Sequence, residues 1–212
     1  MKHLKIFLAA IAMLVMAISF AACDNGADNG TNTGDNGSNI TGDSGNGTQK
    51  PSGGEKILVV YFSATNTTEG VAKKIQTATG SDIYEIVPAV PYTNADLDWH
   101  DDSSRTTIEC NDPSARPEIS GSVENIGHYD TVFIGYPIWW GQAPKIIYTF
   151  LESYDFSGKT LIPFCTSGSS GMGSSATNLH SLTPNATWLD GQRFSGSATQ
   201  STITSWVNGL NY

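Results

Sequence analysis

The chain is 212 residues long and carries 20 acidic against 11 basic residues, a net charge of −9 at neutral pH. Lysine and arginine are scattered rather than gathered into a face, which removes nucleic acid from the expected partners. The acidic balance is compatible with docking on basic patches of other proteins, but acidity on its own selects no partner.

The N-terminus reads Met1-Lys2-His3-Leu4-Lys5 and then stays apolar from Ile6 to Ala22. A short basic region, an apolar segment and small residues at its end predict a secretory signal over residues 1–22. The stretch is also close to the roughly 20 residues that span a bilayer, so an uncleaved anchor is the competing reading. Phe20-Ala21-Ala22-Cys23 resembles the bacterial lipobox, with Phe20 where leucine is typical. That resemblance implies cleavage before Cys23, lipidation of Cys23, and an exported protein anchored to a membrane of the bacterial cell envelope. Asp24 is similar to the inner-membrane retention signal of some such lipoproteins. Residues 23–54 follow, with Gly, Asn, Asp, Thr and Ser almost throughout and Ile40 the only large apolar side chain. So little apolar surface cannot offset chain entropy, and a disordered linker with a root-mean-square reach of about 30 Å is expected. It serves either as a tether holding a folded domain off a membrane or as a plain spacer.

Residues 55–212 are enough for one domain with a substantial core. The domain opens on Ile57 to Phe62, a continuous apolar run too short for a helical pattern. Such a run predicts a strand buried on both faces of a parallel sheet. Ser63-Ala64-Thr65-Asn66-Thr67-Thr68 follows: six small residues, five with a hydrogen-bonding side chain and none charged. Val71, Ala72, Ile75 and Ala78 then recur at helical spacing. A strand, a hydroxyl-rich turn and a helix can make a phosphate site, because the first helical turn presents unpaired N–H groups and the positive end of the dipole. The plainer reading is a helix cap, which any such turn favours but which uses only one or two hydroxyls. No Gly-Lys-Ser/Thr follows and no lysine lies in the loop, which argues against a Walker-type nucleotide site.

Asp82 to Val87 alternates as a strand near a sheet edge does, and Asp130 to Tyr136 predicts a buried strand. A helix through Pro144, Ile146, Ile147, Phe150 and Leu151 comes next, then a strand from Thr160 to Cys165 and a helix from Ser174 to Leu182. A weak strand around Thr187-Trp188-Leu189 precedes a final helix from Thr199 to Leu210. This alternation predicts a three-layer α/β fold: a doubly wound, five-stranded parallel sheet in the order 2-1-3-4-5 with helices on both faces. Ligands of such sheets bind at the carboxyl ends of the strands, so the loops after the first, third and fourth strands should converge.

The second of these loops reads Tyr136-Pro137-Ile138-Trp139-Trp140-Gly141-Gln142-Ala143-Pro144. Adjacent tryptophans on a loop are costly to leave in water, and a planar ligand gives one of them a partner; the other reading packs one or both into the core. The third loop, Cys165-Thr166-Ser167-Gly168-Ser169-Ser170-Gly171-Met172-Gly173, has hydroxyls and N–H groups for a heterocycle's polar edge and glycines for close approach.

Together these segments resemble the flavodoxins across essentially all of Lys56 to Tyr212. The family's phosphate-loop pattern places Ser63, Thr65 and Thr68 at its hydroxyl positions and Asn66 where glycine is usual. Asparagine tolerates a left-handed backbone, so the loop can still close. Tyr-Pro-Ile-Trp-Trp-Gly and Cys-Thr-Ser-Gly-Ser are similar to motifs of an often exported bacterial branch. The resemblance implies FMN as cofactor, its phosphate held by Ser63, Ala64, Thr65, Asn66, Thr67 and Thr68. It also implies an isoalloxazine held between Pro137, Ile138, Trp139, Trp140 and Gly141 on one loop and Thr166, Ser167, Gly168, Ser169 and Gly171 on the other. A backbone group around Gly141 is then expected beside the ring, in an acidic setting that lowers the flavin's second reduction potential. The family's usual second aromatic wall, often a tyrosine of the last loop, has no counterpart there.

Pro91 to Pro117 is long for a connection and leaves the sheet at the same edge. It either supplies the missing wall or a substrate cover, with Trp99 the candidate, or is a surface excursion held by its own ion pairs and turns. Its Asp96, Asp98, Asp101 and Asp102 lack the regular spacing of a calcium loop, and His100, His128 and His180 show no ligand spacing, so no metal site is expected. Cys110 and Cys165 could pair in an oxidising compartment, but Cys165 falls at a buried strand end and a free thiol is expected. The reading these features lead to is a lipid-anchored FMN flavoprotein that moves electrons between redox protein partners outside the cytoplasm. Two alternatives stand beside it. One is an NAD(P)H-dependent flavin reductase acting on a quinone or other small acceptor, though no nicotinamide motif is recognisable. The other is a flavin-less fold that serves as a binding module.

Overall fold

The computed structural model describes residues 56–212. The predicted signal segment of residues 1–22, the lipidation site Cys23 and the linker of residues 23–54 lie outside the described residues. In chain order, β1 is Ile57–Tyr61, α1 Thr67–Thr79, β2 Asp82–Glu85 and β3 Val87–Pro88. Then come α2 at Arg105–Asn111, β4 at Ile119–Ser120, β5 at Thr131–Pro137 and α3 at Lys145–Glu152. The last elements are β6 at Thr160–Thr166, β7 at Thr187–Trp188, β8 at Gln192–Phe194 and α4 at Gln200–Asn208.

The main sheet is parallel and runs β2-β1-β5-β6, then β7 with β8. The expected order therefore holds, with one correction: the fifth position is two strands, not one. β7 pairs with Thr160–Leu161 at the start of β6, and β8 with Phe164–Thr166 at its end. Pro163 lies between the two paired stretches and has no N–H to give to a ladder. Gly191 passes so close that a Cβ there would lie 2.5 Å from the Pro163 carbonyl oxygen.

Alternation along the strands builds one core on each face. Leu58, Val60, Val132, Ile134 and Tyr136 pack against Ile146, Ile147, Phe150 and Leu151 of α3. Val59, Tyr61, Phe133, Ile162 and Phe164 pack against Val71, Ala72 and Ile75 of α1 and Ile203 and Val207 of α4. Each of the larger aliphatic and phenylalanine side chains contributes about 1.5–3 kcal/mol by leaving water. Gly135 is fixed by this packing, because a Cβ there would lie 2.1 Å from the Phe164 ring.

Two expectations from the sequence need correction. The segment Ser174 to Leu182 is not an α-helix: it is a turn followed by a 3-10 helix over Thr177–Leu182. Only Leu179 of that 3-10 helix is buried, and although the Asn178 N–H reaches the Ser174 carbonyl at 3.0 Å, Leu179 and Thr183 donate instead to carbonyls three residues back, at Ala176 and His180. The excursion from Pro91 to Pro117 is not all loop either, since it contains α2. Its buried face is Thr106 and Thr107, while Ile108 is 57% exposed. The apolar periodicity that marks a helix in a sequence is absent there.

Candidate functional site

A cavity of about 370 Å³ opens at the carboxyl ends of β1 and β5. Ser63, Ala64, Thr65 and Thr68 line it from the turn into α1, and Pro137, Ile138, Trp139 and Trp140 from the loop after β5. Leu97, Trp99 and Thr106 complete it from the excursion. None of these residues carries a charge.

The turn into α1 has the form of an anion cradle. Asn66 is left-handed, at φ 61°, the conformation glycine would take, and its side chain makes no cap bond. The chain thus turns at Asn66 and enters a 13-residue helix whose first turn contributes Thr68 to the cavity lining. Among the described residues, the N–H groups of Thr67, Thr68 and Glu69 find no protein acceptor. Glu69, the one acid of that turn, is engaged by Lys73 one turn later. Ser63 keeps its hydroxyl unbonded among the described residues, and the Thr65 hydroxyl lies 3.4 Å from that of Thr67. Thr68 is buried, and its hydroxyl lies 2.8 Å from that of Thr166, so one of the two retains a proton to donate elsewhere. Hydroxyls that can donate, bare N–H groups and a positive helix end, with no carboxylate in the lining, form a donor-rich set that suits a phosphate better than a cation.

The paired tryptophans divide their roles. Trp139 exchanges backbone hydrogen bonds with Gln142, N–H to O at 3.0 Å and O to N–H at 2.9 Å. Trp140, at φ 48°, and Gly141, at φ 73°, are the central residues of this tight turn. Positive φ at both positions is the signature of a type I′ turn, and a left-handed tryptophan costs about 1–2 kcal/mol. The Trp139 ring is half-buried and meets Phe62 edge-on at 5.5 Å and Tyr92 at 5.4 Å. Trp140 is 40% exposed. One tryptophan is thus a piece of core at the cavity wall, and the other is held out over the cavity at a conformational cost.

The third loop sits differently. Thr166 joins the site through Thr68 and through its carbonyl, which accepts the Ile138 N–H at 2.9 Å. Ser167, Gly168, Ser169 and Gly171 do not line the cavity. Arg193 of β8 donates to the Ser167 hydroxyl at 3.1 Å, the Ser167 carbonyl at 2.7 Å and the Gly168 carbonyl at 2.9 Å. The Ser167 hydroxyl in turn donates to the Ser170 carbonyl. Behind this loop, burial pushes the Cys165 thiol up to about 12, so it stays protonated and inert at neutral pH. Cys110 and Cys165 are both free. Asn66, Thr67 and Gly141, also expected at the site, shape its turns without lining the cavity.

The excursion is anchored to this site. Tyr92 donates to Glu109 at 2.6 Å, and Arg105 lies 3.9 Å over the Tyr92 ring while bonding Glu109 and the Val90 carbonyl. Burial, then the Glu109 hydrogen bond, holds the Tyr92 phenol well above tyrosine's usual range. Thr106 donates to the Asp96 carbonyl through its hydroxyl at 2.6 Å and its N–H at 3.1 Å. Asp96, Asp98 and Asp101 bond Thr93, His100 and Ser103 in local turns. Leu97 and Thr106 are lining residues the sequence did not single out. The alternation Asp96-Leu97-Asp98-Trp99 was a signal for Leu97; Thr106, a threonine on a helix with no apolar stripe, offered none.

A family profile described as flavodoxin matches residues 56–210. No curated protein shows a significant match. A crystal structure from Bacteroides eggerthii, of a protein provisionally called a flavoprotein, is 51% identical over 72% of this chain and 96% of that one, with a TM-score of 0.69. A second, from Bacteroides uniformis and similarly described, is 46% identical over 73% of this chain and 99% of that one, with a TM-score of 0.70. A flavoprotein from Lactobacillus acidophilus in complex with FMN is 22% identical over 72% of this chain and 99% of that one, with a TM-score of 0.55, and shares the fold.

Proposed function

This chain belongs to the flavodoxin family, and from that premise we propose that the cavity at the ends of β1 and β5 holds FMN. One observation carries the reading: the lining combines unpaired N–H groups and hydroxyls from one loop with indoles from another, and no charged side chain. That division matches a molecule with an anionic phosphate and a planar, uncharged ring. Ser63, Thr65, Thr68 and the first turn of α1 take the phosphate, and the positive helix end substitutes for a lysine. Trp139 holds the wall through its contacts with Phe62 and Tyr92, and Trp140 presents its indole to the ring. When bound, the flavin supplies the electron-transfer chemistry. The protein's part is to bind it, orient it and keep water from its ring.

The proposal extends to electron transfer between protein partners outside the cytoplasm, with the domain tethered through a lipid on Cys23. Support comes from the Phe20-Ala21-Ala22-Cys23 motif and the net charge of −9, which suits basic partner surfaces. The first test is an absorption spectrum of the purified protein followed by titration with FMN. Flavin bands or quenched FMN fluorescence are expected; no binding at excess FMN would sink the redox reading. Rapid flavin reduction by NAD(P)H in stopped flow would assign a reductase instead of a carrier.

A further inference from the structure

The chain has five tryptophans. Trp139, Trp188 and Trp206 are largely covered, whereas Trp99 is 68% exposed and Trp140 40% exposed. Both exposed indoles line the one cavity just described. A large apolar ring left in water marks a surface that something else covers, and two such rings on one cavity point to its occupant.

The backbone beneath Trp99 is held by hydrogen bonds, while its ring stays largely exposed. Thr106 grips the Asp96 carbonyl twice, and the Asp98 carboxylate accepts the His100 N–H at 3.0 Å. Leu97 beside it also faces the cavity, and Tyr92, edge-on to Trp139, locks the start of the excursion to the core. The Trp99 ring itself meets only the neighbouring His100 ring, at 3.4 Å between centroids, among the ring contacts of the described residues. The loop after β6 has no aromatic residue and does not reach the cavity lining, because Arg193 holds Ser167 and Gly168. It leaves the second wall of the site open.

We propose that Trp99 is that wall: its indole lies against the isoalloxazine on the face Trp140 does not cover, so the excursion, not the loop after β6, closes the flavin site. The inference rests on the FMN reading. An aromatic stack is worth up to about tenfold in affinity beyond the area it buries.

The test is a fluorescence titration of the full-length protein with FMN and with riboflavin, in wild type, Trp99→Ala and Trp99→Phe. Trp99→Ala is expected to weaken both ligands by about the same factor, roughly tenfold, because the contact is to the ring and not the phosphate. Flavin fluorescence in the Trp99→Ala complex should be less quenched than in wild type, Trp99→Phe should recover most of the affinity, and the Tm of the flavin-free protein should not move. Unchanged affinity and quenching in Trp99→Ala, with wild type binding FMN, overturns the assignment and leaves Trp99 to a protein partner. Weakened binding accompanied by a lower Tm of the flavin-free protein also overturns it, in favour of a structural role. If wild type binds no FMN, the flavin reading itself fails and this inference falls with it.

Discussion

Two segments at the same sheet edge share a chemical character, Ser63 to Thr68 after β1 and Thr166 to Gly171 at the end of β6. Both are small, uncharged and rich in hydroxyls. In the first, Ser63 is unbonded and the N–H groups of the following helical turn are bare. In the second, the Ser167 hydroxyl and two carbonyls are held by Arg193, and the loop stands back from the cavity. Composition sets how many hydrogen bonds a loop can make. Whether they are free for a ligand depends on a cation that β8 delivers from a distant part of the chain.

The largest effect should come from removing that cation. Arg193→Met deletes three charge-assisted hydrogen bonds at a partly exposed site, which should lower stability by about 2 kcal/mol in chemical denaturation. Amide exchange from Ser167 to Gly171 should accelerate. FMN affinity should change less than twofold. A loss of tenfold or more in a protein that remains folded would break the contrast, because the second loop would then be part of the flavin wall.

A smaller effect is expected where the two loops touch. Thr68 and Thr166 share one buried hydroxyl contact at 2.8 Å. Thr68→Val or Thr166→Val alone strands the other hydroxyl and should cost about 1–2 kcal/mol. The double variant removes both polar groups and should recover most of that loss, a coupling that a double-mutant cycle measures directly. Additive losses would mean that each hydroxyl has an independent role and that the loops are not linked through this pair.

The same contrast explains what the sequence could and could not reveal. Ile57 to Phe62 announced β1 because a strand covered on both faces has no polar alternation, and its parallel neighbours β5 and β6 read the same way. The split at the fifth position was hidden because two- and three-residue strands carry no periodicity; Pro163 was the only local sign. Arg193 looked like one more scattered cation, since nothing local says that β8 brings it beside Cys165 in register. Hydroxyl-rich turns were legible as donors, but the competition for those donors is a tertiary property. Trp139 and Trp140 were legible as a pair, and only the type I′ turn separates the buried ring from the exposed one.

The smallest effect is also the most direct comparison of the two loops. Ser63 and Ser169 each bear a hydroxyl with no hydrogen bond among the described residues, but only Ser63 lines the cavity. Truncating either to alanine should leave stability within about 0.5 kcal/mol. Ser63→Ala removes one donor to a charged phosphate, so FMN affinity should fall roughly tenfold, in line with about 1.5 kcal/mol, the low end for a hydrogen bond to a charged group. Riboflavin, which lacks the phosphate, should bind the variant as it binds wild type, and that selectivity separates a lost phosphate contact from a distorted cavity. Ser169→Ala should change neither ligand. Equal FMN-selective losses in both variants would show that the phosphate bridges the two loops, which would then form one shared cradle.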